Sequence, residues 1–207
     1  MSQRQSYARY HYQEAMRLLD EFRAERLKGD GLLYAIHGPD EESRNAFDLF
    51  LMQAGAHTLA CVLSVHSMLD VIAYAIYVAL AYESRPQLQR DRSVSAASIE
   101  PFLRQTQEHV VFADALIDLQ NNRHFQHVAA LSNHSKHRGL IRSSLNEDWT
   151  GERERPYELR FAPFAYEGKT YGEAEVTSVI GPAYELASEV AIRVGTNLNR
   201  VLSSGAV

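Results

Sequence analysis

Cysteine is almost missing from this chain: one residue, Cys61, in 207. A single thiol builds neither a disulfide framework nor a cysteine-based metal site. Its place on an apolar helix face reads as a small buried side chain, not a reactive nucleophile. A long basic tract is lacking too. With 21 Lys and Arg against 26 Asp and Glu, the net charge is −5. That argues against a coat for duplex nucleic acid and leaves room for a local basic pocket. Residues 1–12 are polar and lack the apolar core of a signal peptide, so a cytoplasmic location is expected. There is no glycine-rich phosphate loop, internal repeat or low-complexity tract. Neither helical metal string, Glu-x-x-His from two helices or His-Glu-x-x-His, occurs, so no metal or other cofactor is expected.

Present instead is an ordinary globular balance, 45% hydrophobic and 23% charged, long enough to bury its own core. The chain reads as one domain over 1–207. Its centre is the stretch Asp40 to Glu83. Asp40 is a helix cap followed by acids in the first turn, where the helix dipole favours them. Phe47, Leu51, Ala54, Thr58, Cys61, Val65, Met68, Ile72, Ile76 and Ala79 then recur at alternating spacings of four and three, one face of a helix. From Leu59 to Tyr82 the other faces are mostly apolar as well. Such a helix is a membrane span or the central helix of a bundle. His66 and Asp70 in its middle favour the bundle, because a charge at a bilayer centre costs about 2.5–3.5 kcal/mol.

Around this helix the expected fold is mainly α. Ser6 to Lys28 has the spacing of a first helix ending at Gly29; Gly29 to Pro39 reads as a connection with a short apolar run, Leu32 to Ile36. Gly55 marks a kink or a close packing point. Ser84 to Ser98 reads as a polar loop, with Ser98 capping a helix whose first turn holds Pro101 and whose pattern runs on to Leu119. A break near Asn121-Asn122 precedes a helix over Arg123 to Arg138, stopped by Gly139. The period then changes to two. Leu140 to Leu145 and Tyr157 to Phe161 read as strands, with Pro163 placing the second at an edge. Tyr166-Glu167-Gly168-Lys169-Thr170-Tyr171 reads as a hairpin. A small antiparallel β insertion, about 140–177, therefore precedes a last helix opened by Gly181-Pro182.

Chemistry is concentrated in the helix ending at Gly139, which carries four of the nine histidines. Arg123, His127, His134 and Arg138 fall near one meridian, with Asn133 and His137 beside it and Phe125, Val128 and Leu131 opposite. Imidazole titrates near neutral pH, and neighbouring Arg and Lys suit a phosphate or carboxylate. For any one of these histidines an ordinary polar helix face is the simpler reading. A second feature is His66 with Asp70, four apart on the central helix. As a buried carboxylate, Asp70 is expected to have partners, either in a core ion-pair network or as the orienter of a histidine. Both accounts have these residues meet the stretch Lys136-His137-Arg138 in space.

The string Asn133-His134-Ser135-Lys136-His137-Arg138, following a long apolar helix with an internal Asp step, resembles the HEPN-like (higher eukaryotes and prokaryotes nucleotide-binding) helical proteins over about Ser43 to Arg138. The resemblance implies an all-α bundle, a homodimer formed through these helices, and RNA or a nucleotide as partner, without a membrane. In active members it implies metal-independent cleavage of RNA, in a toxin or phage-defence setting. The family motif is Arg, a polar residue, then His, with four to six residues between the Arg and the His, a spacing from which this chain departs. Here Arg123 precedes His127 with three residues between, and Asn133 precedes His137 at the same spacing. The residues it would engage are His137 or His127 as acid or base at the 2′-hydroxyl, and Arg123, Lys136 or Arg138 at the phosphate, with Asn133 in the motif and His66 and Asp70 in support. The competing reading is a non-catalytic scaffold or regulator in which Asn133, Lys136 and His137 form a hydrogen-bond hub.

Overall fold

The computed structural model describes residues 2–27, 31–38, 40–84 and 94–204. It is a helical bundle around one long apolar helix, with small antiparallel sheets before the last helix. That pillar is α3, Glu41–Ala79. The Asp40 side chain caps it, accepting from the backbone N–H of Glu42 at 3.0 Å and of Ser43 at 3.2 Å. These bonds satisfy donors that a helix start leaves orphaned. The face read from the four–three spacing is the buried one: Phe47, Ala54, Thr58, Cys61, Val65, Met68, Ile72 and Ile76 all lie inside. Gly55 allows close packing: a Cβ there would stand 3.4 Å from the Ser143 hydroxyl. By length and composition α3 is able to cross a membrane, and half of its most apolar stretch is buried within the bundle.

Helix α1, Ser2–Arg26, lies along α3. Ala8, Ala15, Leu19 and Phe22 are buried, and Phe22 stacks on Phe50 with centroids 4.5 Å apart. The Cys61 thiol donates to the Ala8 carbonyl, and burial pushes it up to about 12. Gly29 lies outside the described residues. The run Leu32 to Ile36, expected as part of a connection, is a short helix, α2, Gly31–His37. Tertiary support selects that helix: the Glu147 carboxylate accepts from the N–H of Leu32 at 3.3 Å, tying α2 to the sheet.

Of the polar loop expected over 84–98, residues 85–93 lie outside the described residues. Helix α4, Ala96–Leu103, is capped by Ser95, not Ser98. Ser98 is instead the third helical residue of a capping box, returning a bond to the Ser95 N–H at 2.8 Å. The pattern expected to run unbroken to Leu119 is interrupted at 104–109 before α5, Val110–Asn121. Asn122 then starts α6, Arg123–His137.

Strands β1 (Ser143–Glu147), β2 (Tyr157–Phe161) and β5 (Ala174–Glu175) form one sheet in the order β1-β2-β5. The register pairs Leu145 with Leu159, both buried, and Phe161 with Ala174. The second strand is therefore central, not an edge. Pro163 falls just beyond it and costs no ladder bond. Strands β3 (Phe164–Tyr166) and β4 (Lys169–Tyr171) make the expected hairpin. Glu167 and Gly168 both take positive φ, 49° and 77°, the backbone of a tight two-residue turn. Helix α7, Val176–Ser203, begins before Gly181-Pro182 and carries Pro182 inside it. The buried residues Val176, Val179 and Ile180 in its first turns reward that earlier start.

Candidate functional site on helix α6

The Asn122 side chain accepts from the N–H of His124 at 2.9 Å and of Phe125 at 3.3 Å, which fixes where α6 begins. Phe125, Val128, Ala130, Leu131 and Ser132 are buried, so the apolar arc faces the core. At the other end the N–H of Gly139 reaches the His134 carbonyl at 3.2 Å, and Gly139 has φ 143°, a conformation few side-chain-bearing residues adopt. His134 Nδ1–H donates to the Gly139 carbonyl at 2.9 Å, fixing the tautomer of that ring.

Helix geometry divides the candidate residues into two groups. At a rise of about 1.5 Å per residue, Arg123 and Lys136 are ~20 Å apart along the axis, and His127 and His137 ~15 Å. No single phosphate can touch both groups. In the first group, Arg123 Nε meets His124 Nε2 at 3.1 Å. The His127 ring is half-buried against the hairpin, 4.9 Å from Tyr171 and 6.0 Å from Phe164, which are themselves stacked at 4.7 Å. Burial, then His124, pushes the His127 imidazole below the usual histidine range. Its Nε2 is buried with no hydrogen-bond partner among the described residues. His127 thus faces a wall of aromatics.

In the second group Lys136, His137 and Arg138 are exposed, and Asn133 is half-buried beside them. No ion pair among the described residues involves a cation of α6. The arginines at 17, 23, 26, 104, 153, 160 and 193 have carboxylates, whereas those at 4, 9, 44, 142, 155 and 200, like Arg123 and Arg138, have none within 4 Å among the described residues. The central helix approaches this group through His66, whose Nδ1 shares a 2.8 Å hydrogen bond with the Ser132 hydroxyl. Burial, then Lys136, lowers the His66 imidazole, and Asp70 opposes them. His66 thus meets α6 at Ser132, one turn before Lys136, and among the described residues no hydrogen bond or ion pair joins His66 or Asp70 to Lys136, His137 or Arg138. Asp70 itself is exposed and not buried as the sequence implied.

Three contacts escaped the sequence. Ser132 is fully buried and lies one step off the apolar arc, so periodicity alone does not mark it as the partner of His66. The stacking of Phe164 on Tyr171 follows from the hairpin register, which pairs them directly. His11 of α1 and His57 of α3 share a hydrogen bond between their Nδ1 atoms at 3.0 Å, a pairing 46 residues apart that nothing local announces. Among the described residues no group of three or more His, Cys, Asp or Glu converges as a metal site would. Comparison with protein-family models, with curated proteins and with solved structures finds no match to this chain.

Proposed function

We propose that this protein is an HEPN-like homodimer that contacts RNA or a nucleotide and cleaves RNA without a metal, in a toxin or phage-defence setting. The observation that carries the reading is the end of α6. There an imidazole and two cations, His137, Lys136 and Arg138, stand exposed together with no carboxylate in ion-pair reach among the described residues. Cations that no protein group neutralises are suited to phosphate.

In this reading His137 takes the proton of a 2′-hydroxyl, and the freed oxygen attacks the adjacent phosphorus. The P–O5′ bond breaks, the 5′-oxygen leaves as a hydroxyl with a proton taken from water, and a 2′,3′-cyclic phosphate remains. Lys136 and Arg138 stabilise the charge that develops on the phosphoryl oxygens. Arg123 is too far along the helix to share that phosphate and would engage another part of the strand, whereas His127 is turned into the hairpin and takes no part.

A second copy suits the surface of α3. Leu49, Met52, Ala56, Leu59 and Leu63 alternate at spacings of three and four on its outer side. The first three are exposed, with Met52 65% exposed, and the last two are half-buried. This seam continues into His66 and Asp70, at the same spacing. Self-pairing along it would bury the apolar stripe and set two α6 termini about one axis. The scaffold alternative draws on the His66–Ser132 bond, but no hydrogen bond joins Asn133, Lys136 and His137 among the described residues.

The test is a purified, chelator-treated protein assayed against a panel of RNAs. Cleavage by the parent and its loss in His137→Ala, with the helical circular dichroism signal unchanged, is the expected result. Absence of cleavage by the parent, or undiminished cleavage by the variant, removes the nuclease reading.

A further inference from the structure

Away from α6, a cavity of about 270 Å³ opens between α1, α3 and α7. Its floor is apolar and made of small groups, the buried Ala8 and Cys61. Tyr12 and Tyr184 stand as walls, and Arg9 and Glu185, both exposed, line it from opposite helices. Gly181 contributes an empty place: a Cβ built there meets nothing within 4 Å. No other helix occupies that place, and the following Pro182 gives a local reason for glycine, because a proline ring crowds the Cβ of the residue before it in a helix. Beside it, the Tyr12 hydroxyl donates to Thr177 Oγ1 at 3.1 Å, which leaves the Thr177 proton directed elsewhere.

Arg9 and Glu185 line the same cavity, yet no ion pair joins them, and neither has another charged partner within 4 Å among the described residues. One unpaired cation and one unpaired anion flank an apolar floor. A bare anion would meet Glu185, and a bare cation would meet Arg9. A molecule carrying both charges next to an apolar body satisfies both. The volume admits a molecule of amino-acid size.

The geometry points to a binding site for a small zwitterion with an apolar body, chemically a free amino acid with a branched or aromatic side chain. Its carboxylate lies on Arg9, its ammonium on Glu185, and its side chain on the floor beside Gly181. This is independent of the RNA reading, since neither the residues nor the elements of the α6 terminus are used.

The experiment is calorimetry of the full chain with L-phenylalanine and L-leucine, and with two single-charge analogues, 3-phenylpropionate and phenethylamine. Saturable binding of at least one amino acid is expected below about 10 mM, with both analogues weaker by roughly ten-fold. Arg9→Ala and Glu185→Ala should each weaken the amino acid by about ten-fold. Gly181→Leu, which fills the cavity, should abolish binding, and Gly181→Ala should weaken it, both with the parent's helical circular dichroism signal. No saturable binding of either amino acid, analogues that bind as well as the amino acids, or full binding by Gly181→Leu and Gly181→Ala each overturn the proposal.

Discussion

The hydrogen bond between Ser132 and His66 is where the α6 strip is anchored to the central pillar, and its removal gives a quantitative test. Ser132 is fully buried and its hydroxyl lies 2.8 Å from His66 Nδ1. Ser132→Ala removes one oxygen, leaving almost no cavity, so the loss is electrostatic. A made hydrogen bond contributes about 1 kcal/mol net, and an orphaned buried partner costs about 1–3 kcal/mol. His66 is only half-buried, so water recovers part of that penalty. The expected destabilisation is about 1.5 kcal/mol, which with a urea m-value near 2–3 kcal/mol/M moves the unfolding midpoint down by ~0.6 M. His66→Ala loses the same bond together with its ring contact to Phe125 at 6.1 Å. The double variant therefore should fall short of the sum of the singles by about 1 kcal/mol. Additivity within ~0.3 kcal/mol in urea denaturation followed by circular dichroism would refute the junction. The same ring reports its surroundings by NMR titration. Lys136→Ala should raise the His66 pKa and Asp70→Asn should lower it, because Lys136 opposes and Asp70 favours the imidazolium.

Three further outcomes follow from the structure. Asn122→Ala strips the cap that accepts from His124 and Phe125 and should cost about 1 kcal/mol in chemical denaturation, as caps do. Gly195→Ala lies inside α7 with no heavy atom within 4 Å of its built Cβ, so it should stabilise the protein by about 0.5–1 kcal/mol and raise the melting temperature. Acid should destabilise the fold. Burial holds His11, His66 and His127 below the ordinary value of 6.5, so the folded chain binds fewer protons than the unfolded one. The contribution of these groups is full above pH 6.5 and is lost as pH falls through 6.5 toward the depressed values. Melting curves from pH 8 to pH 5 should show that decline, and a flat profile would contradict the burial of these rings.

The parts of this fold that the sequence specifies unaided are those written in local chemistry. The four–three spacing along α3, Asp40 as its cap, the Asn121-Asn122 break, Gly139 as a stop and the Glu167-Gly168 turn each depend on residues within a few positions of one another. Burial of one helical face and satisfaction of orphaned backbone groups suffice to place them. Tertiary structure decided the rest. Leu32 to Ile36 becomes a helix because Glu147, more than a hundred residues away, meets its first N–H. The second strand becomes central because the short strand before α7 pairs with its far side, a choice its own pattern does not contain. Asp70 looked buried from its apolar neighbours in sequence, but a helix has several faces and only packing selects which one meets water. The candidate site divides the same way. Its polar strip was legible from helical periodicity, whereas the partner of His66, the aromatic wall at His127 and the exposure of Lys136, His137 and Arg138 depended on which elements came to rest against α6.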